Sequence, residues 1–253
     1  MNDPEDNTEI PHCTLKMFPE ETLHCVEWAR DKFGKLFTQA PQNALKLLEE
    51  GANFQPTSQE DAKSLREVVK LLERRPSKFD DCVAFARLKF EKLFNHDVRQ
   101  LLHVYPLDAK TKDGAPFWSL PKRPPTPVDF DPKNSLHCAF IAAIACLRAQ
   151  VFKISLPTAA PRTDEFRREC GHMASKVEVP KFVPNDEKAK EIQASVNKEA
   201  KEAEPEEEKS SLEEPSSSQQ FSAEANDQEK LLQRFQALLK ELGKGTAVHP
   251  EQF

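Results

Sequence analysis

Three observations predict a mostly α-helical fold. Apolar residues recur at three- and four-residue steps through much of the first 105 positions and again over 136–152, the spacing that lines one face of a helix. Two stretches, C-V-E-W-A-R-D-K-F-G-K-L-F at 25–37 and C-V-A-F-A-R-L-K-F-E-K-L-F at 82–94, align without a gap. The residues that break helices are segregated, with prolines crowded into 106–135 and acidic residues gathered from 185 onward.

Taken in order, residues 1–9 are polar and acidic and read as a flexible lead-in. The spacing predicts a helix over 20–37, with Val26, Ala29, Phe33, Leu36 and Phe37 forming its apolar stripe. Pro19, Glu20 and Glu21 suit its start, where a missing N–H costs nothing and negative charge is favoured. Gly34 costs that helix roughly 1 kcal/mol relative to alanine, which suggests a close approach there. The segment 79–94 repeats the pattern, and both stripes are expected to meet one core. Duplication and shared helix requirements each account for the match.

Between the two, A-L-K-L-L-E-E and D-A-K-S-L-R-E-V-V-K-L-L-E-R-R give further amphipathic helices, the second ended by Pro76. D-V-R-Q-L-L-H-V-Y reads as a helix stopping before Pro106. Proline restricts its own φ and its predecessor, so 106–135 is expected to be a long ordered Pro-rich loop, with Phe117, Trp118 and Phe130 needing burial. L-H-C-A-F-I-A-A-I-A-C-L-R-A-Q-V-F at 136–152 reads as a central helix. Residues 185–230 hold fourteen Asp and Glu against six Lys. Such a segment buries too little apolar area to offset about 1–2 kcal/mol of backbone entropy per residue, so 185–226 is expected to be a flexible acidic tail. A short amphipathic helix over 227–243, capped near Gly243, follows it.

Composition narrows the function classes. The 253 residues carry a formal charge of −6, which argues against nucleic acid, and the one basic cluster, Lys122 and Arg123, sits among prolines. No apolar run is long enough for a membrane span and no secretory leader is evident. With six glycines in all and no Gly-rich phosphate loop, nucleotide binding of the doubly wound type is not expected of this chain alone. Six cysteines without a Cys-x-x-Cys pair, and seven histidines without a His-Glu-x-x-His motif, predict neither a disulfide scaffold nor a metal site. His24, His96, His103 and His137 read as helix-surface or hydrogen-bonded groups.

The thiols divide by context. Cys25, Cys82, Cys138 and Cys146 lie within predicted apolar helix patterns and read as packing residues. Cys170, in R-R-E-C-G-H, reads as nearer the surface. Cys13, in P-H-C-T-L-K-M-F-P, precedes the first helix, where backbone amides and Lys16 can stabilise a thiolate. His12 is adjacent in sequence, and no Cys, His and Asn set of the papain kind can be assigned.

The segment I-P-H-C-T-L-K-M-F-P at 10–19 resembles the active-cysteine segment of the ubiquitin-activating E1 enzymes. The similarity continues through H-C-V-E-W-A-R-D-K-F at 24–33, R-Q-L-L-H-V-Y-P-L-D at 99–108, D-G-A-P-F-W-S-L-P-K-R-P-P-T-P-V-D-F-D at 113–131 and N-S-L-H at 134–137. A-R-L-K-F-E-K-L-F-N-H at 86–96 resembles the E1 branch that in vertebrates charges both ubiquitin and a tandem ubiquitin-like modifier. The resemblance implies a helical second catalytic cysteine half-domain over 10–184 and a tail at 244–253 leading toward an adenylation domain outside this chain. It implies Cys13 as the thioester-forming residue, with Thr14 and Lys16 in support. Ubiquitin or a ubiquitin-like modifier, an E2 conjugating enzyme and the remaining E1 domains are the implied partners. This chain is expected to hold no cofactor, with ATP and magnesium belonging to the adenylation domain, and to be inactive alone. The implied location is cytoplasmic and also nuclear. A noncatalytic fragment contacting ubiquitin-like proteins or E2, and an independent cysteine hydrolase, are the alternatives.

Overall fold

The computed structural model describes residues 18–202 and 220–244, apart from positions 112, 121 and 159. Nine α-helices are found among them. The first is α1 (Thr22–Phe33), which runs through a π-helical stretch, Gly34–Gln39, straight into α2 (Ala40–Glu50). Then come α3 (Gln59–Glu73) and α4 (Phe79–Phe90), the latter passing through a second π-helical stretch, Glu91–His96, into α5 (Asp97–Val104). The rest are α6 (Ser135–Val151), α7 (Asp164–Ser175), α8 (Asp186–Glu202) and α9 (Gln220–Lys244). There is no β-sheet among the described residues, only an isolated bridge between Lys110 and Pro116. No described helix is long and apolar enough to cross a membrane.

Helix starts follow the local chemistry. Asp61 Oδ2 accepts from the Thr57 and Ser58 amides, while the Asp61 amide donates to Ser58 Oγ at 3.0 Å, closing a reciprocal cap. Asp81 does the same work for α4, accepting from Ser77 Oγ at 2.7 Å and from the Ser77 and Lys78 amides. Asn134 Oδ1 accepts the Leu136 and His137 amides at the start of α6.

The two aligned sequence segments adopt the same architecture. Each is an α-helix that widens into a π-helical stretch at the shared K-L-F and then continues as α-helix. Their surroundings differ. In α4, Cys82, Val83 and Phe90 are buried with α6 and α7 in the main core. In α1, no residue is buried: Val26 is 56 % and Phe33 48 % exposed. The expectation of one shared core is thereby corrected. A helical period locates an apolar face but not what covers it: α4 is buried against α6 and α7, whereas the first copy meets α6 through its π-helical stretch. Gly34 also makes no close approach, since a Cβ there would meet nothing within 4 Å.

Three packed clusters hold the fold. The main one joins α4, α6 and α7 around Ile141, Ala145, Phe166 and Cys170. A second joins α2, α3 and α9 through Leu47, Leu65, Val68, Phe235 and Leu238. The third collects Phe18, Leu101 and Phe117, with Tyr105, Trp118 and, from α8, Ile192 and Val196 against them.

Two expectations about the C-terminal third change. The stretch 185–226, expected to be flexible, holds all of α8 and the start of α9; residues 203–219 lie outside the described residues. Ile192 and Val196, one turn apart on α8, are all the apolar surface that helix needs to close the third cluster. Helix α9 begins seven residues ahead of the expected 227 and continues to Lys244, so Gly243 lies within it. The lead-in 1–9 and the tail beyond Lys244 lie outside the described residues.

Helices α6 and α7 approach closely at Gly171. A Cβ built there would collide with Cys138 Sγ, which itself sits 3.1 Å from the Pro132 carbonyl. Gly171→Ala should therefore cost about 1–3 kcal/mol through overpacking, despite alanine's better helix propensity. Denaturant midpoints check this, and Cys138→Ala in the same background should recover most of the loss.

Candidate functional site

Cys13, Thr14 and Lys16 lie outside the described residues. What the structure does give is the anchor that follows them. Phe18, five positions after Cys13, is 5 % exposed. Its ring meets Phe117 at 5.7 Å, Trp118 at 5.8 Å and Tyr105 at 6.4 Å, each edge-on, the orientation that aromatic quadrupoles favour. Immediately afterwards, the Glu20 amide donates to His24 Nδ1 at 3.1 Å as α1 begins.

The rings around Phe18 are positioned by the chain between α5 and α6. Tyr105 follows α5 and stacks on Phe117 at 4.0 Å. Between them a tight reversal is closed by the Thr111 amide on the Ala115 carbonyl and the Phe117 amide on the Ala109 carbonyl, both 2.8 Å. Gly114, at φ +81, supplies the left-handed residue this reversal requires. Trp118 Nε1 donates to the carbonyls of Tyr105 and Pro106 at 3.0 Å. Lys122 places its ammonium 5.3 Å from the Phe18 ring centre and 5.0 Å from that of Phe117, within cation–π range. Arg123 is exposed, but Lys122 is half-buried over the aromatic cluster. Phe117 is buried as expected.

Further along, the same segment is tied to the second π-helical stretch. The Val128 amide donates to the Phe94 carbonyl at 2.8 Å. Asn95 Nδ2 donates to Asp129 Oδ1 at 2.7 Å and Asn95 Oδ1 accepts from Arg99 Nε at 2.7 Å. Arg87, paired with Glu91 at 2.7 Å, lies 4.8 Å from the centre of the Phe130 ring. Helix α8 is fastened by a two-way contact: Gln100 Nε2 donates to the Asn185 carbonyl at 2.9 Å and Gln100 Oε1 accepts the Asn185 amide at 3.0 Å.

The thiols beyond Cys13 separate by environment. Burial pushes the Cys82 thiol up to about 11 and the Cys170 thiol up to about 12. Burial also raises Cys138 and Cys146. A thiol held protonated is a poor nucleophile near neutral pH, so these four serve packing. Two expectations need correction. Cys170 is fully buried, because it lies on the inner face of α7 with Phe166 and Ala174. Cys25, expected to pack, is exposed, because the whole of α1 lacks a buried face.

His24 accepts backbone amides, and His137 Nδ1 accepts the Asp131 amide at 3.1 Å. Among the described residues no group of three or more His, Cys, Asp or Glu is placed to hold a metal ion. The anchoring role of Phe18 was not read from the sequence. Its signal was an aromatic residue placed directly before the Pro19 that opens α1.

A helical domain with its non-helical α5–α6 connection folded onto the residues that follow a candidate nucleophilic cysteine is the class of protein defined so far. The family described as "Ubiquitin-activating enzyme, SCCH domain" matches residues 19–253, and the chain belongs to that family. The matched span begins just beyond Cys13. Among curated relatives, ubiquitin-like modifier-activating enzyme 6 of Homo sapiens is 40% identical over 183 residues, 70% of this chain and 17% of the relative. The Mus musculus protein of the same name is 45% identical over 151 residues, 58% of this chain and 14% of its own. Ubiquitin-like modifier-activating enzyme 1 of Dictyostelium discoideum is 40% identical over 195 residues, 76% of this chain and 18% of its own. The chain thus spans 14–18% of the length of these relatives. The resemblance to the ubiquitin-activating enzymes is borne out at the level of the family.

Proposed function

We propose that this chain is the thioester-carrying domain of a ubiquitin-activating enzyme and that Cys13 is the acceptor. The observation that carries the reading is a single one: in a chain of this family, Cys13 sits in the segment I-P-H-C-T-L-K-M-F-P, while the thiols of Cys82, Cys138, Cys146 and Cys170 are raised by burial. The Cys13 thiolate attacks the C-terminal acyl carbon of a ubiquitin or ubiquitin-like modifier adenylate. A C–S bond forms, the acyl–phosphate C–O bond breaks, AMP departs, and the thiol proton passes to solvent. An E2 cysteine thiolate then attacks the same carbon, and the Cys13 thiolate leaves. A thiol suits both halves, being a strong nucleophile and a competent leaving group.

On this reading Thr14 orients the acyl group and Lys16 favours the thiolate. ATP and magnesium act in an adenylation domain outside this chain, and the remaining E1 domains, modifier and E2 are the partners. The body spans 10–184, the Pro-rich segment 106–135 is an ordered loop that shapes its modifier-facing or E2-facing surface, and the enzyme works in the cytoplasm and the nucleus. The test is reconstitution with an adenylation module, ATP-magnesium and ubiquitin, read on non-reducing gels. A thiol-reducible adduct is expected, and Cys13→Ala should remove it while Cys25→Ala leaves it in place. An adduct that survives Cys13→Ala overturns the assignment.

A further inference from the structure

We propose that Lys89 is a covalent modification site, whose side-chain amine takes an acyl group from an anionic, activated donor of the acyl-phosphate class. The site lies in the last turn of α4 and does not depend on the role of Cys13.

Cations from three parts of the fold act on one another here. Arg74 directly follows α3, Lys89 lies on α4 with Lys92 in the π-helical stretch beyond it, and Arg148 comes from α6. Arg148 is 4 % exposed and held on three sides. Its guanidinium lies 3.8 Å from the centre of the Phe85 ring and 4.9 Å from that of Phe152, and Nη2 donates to the Arg74 carbonyl at 2.6 Å. The half-buried Lys89 sets its ammonium 5.2 Å from the centre of the same Phe85 ring. Arg74 and Lys92 are exposed. Among the described residues, none of these cations forms a salt bridge. The opposing charge on Lys89 comes from Asp97, at the start of α5.

This balance disfavours the ammonium form of Lys89. Burial first, then the cations Lys92, Arg148 and Arg74, hold its amine well below the usual lysine range, at about 8. Burial draws Arg148 down as well, to about 10. Desolvation and cationic neighbours are the two ways in which a lysine is made nucleophilic. At pH 7.5 about a quarter of such an amine is free base, against roughly a thousandth for a lysine near 10.4. Lower basicity takes back part of that gain, so the net advantage is several-fold. The same cations select the donor. Exposed Arg74 and Lys92 keep positive charge around an amine that has lost part of its own, which draws an anion, and a phosphate leaving group matches their chemistry. The Lys89 Nε lone pair attacks the acyl carbon and a C–N bond forms. The C–O bond to phosphate breaks, its electron pair stays on the phosphate oxygen, and the amine proton passes to the departing phosphate. The amide product is neutral, which removes one charge from a cluster that holds no ion pair.

The experiment is competitive acetylation at pH 7.5 of the full polypeptide that carries this segment. Acetyl phosphate is the anionic donor, p-nitrophenyl acetate the neutral one, and Nα-acetyl-lysinamide the reference amine in the same tube. Timed quenching and peptide mapping read Lys89. It should accept acetyl from acetyl phosphate at least threefold faster than the reference amine, and lose that lead in denaturant. Arg74→Gln and Lys92→Gln, made together, change exposed side chains only and leave the Arg148 stack in place, so the fold is kept. The pair should lower the ratio of acetyl phosphate to p-nitrophenyl acetate rates at Lys89 at least threefold. Lys89 no faster than the reference amine toward acetyl phosphate overturns the site. A donor ratio at Lys89 within twofold of the reference amine's, or one that the double substitution leaves unmoved, overturns the anionic donor.

Discussion

At pH 8 in the folded protein, a small alkylating reagent should label Cys25 at least a hundredfold faster than Cys82 or Cys170. The reason is ionisation compounded by access. A thiol at about 11 holds on the order of a thousandth as thiolate at this pH and one at about 12 a tenth of that. Cys82 and Cys170 are pushed to about 11 and about 12 by burial and are sealed in the main core, whereas Cys25 is exposed. The sign with pH follows. A raised value means that the buried thiols keep gaining thiolate about tenfold per unit up to pH 11–12. The ratio should therefore shrink as pH rises, and vanish in denaturant, where all six thiols become equivalent. Peptide mapping after timed quenching measures it. Equal labelling of Cys170 and Cys25 at pH 8 would contradict the placement of α7 against α6. The contrast matters for function because it leaves Cys25 as the one exposed thiol among the described residues, and Cys25 lacks the sequence surroundings of Cys13.

Helices with wide aliphatic stripes were legible in the sequence, and those with narrow or small-residue faces were not. Leu65, Val68, Val69 and Leu72 mark α3 and its buried side together. Helix α7 escaped notice because its inward face consists of Phe166, Cys170, Gly171 and Ala174, small groups amid R-R-E and a glycine that lowers helix propensity. Helix α8 escaped because a count of charges measures the cost of ordering a segment but not the value of two well-placed residues such as Ile192 and Val196. The stripe of α1 was seen correctly and assigned wrongly, since its aligned partner α4 has the same pattern and a quite different fate. For the site, the resemblance pointed to Cys13 from its immediate neighbours. The socket of Phe18 could not be read that way. It depends on contacts between position 18, positions 105–122 and positions 192–196, and no local pattern records such separations.

Helix α9 offers the sharpest test of how far the folded body extends. Phe235 is fully buried, set edge-on to Phe54 at 6.3 Å, and flanked on the same helix by buried Leu238 and Leu242. Phe235→Ala should cost about 3–5 kcal/mol, the transfer loss plus the cavity left between α3 and α9. Arg234→Ala is the matched control. Arg234 Nε pairs with Glu73 at 2.7 Å, but both side chains are substantially exposed, and such pairs contribute about 0–1 kcal/mol. Neighbouring substitutions on one helix should thus differ several-fold in effect. The loss should also be local in its first consequences. The main core of α4, α6 and α7 shares no residue with the cluster around Phe235, so weakening the latter should release α9 as a unit before the former opens. Limited proteolysis should cut Phe235→Ala first within 220–244, while amide protection in α4 and α6 is retained under the same conditions. A change below about 1 kcal/mol would mean that α9 does not pack on α3 through this ring. Simultaneous loss of protection in both clusters would mean that the two cores fold as one cooperative unit.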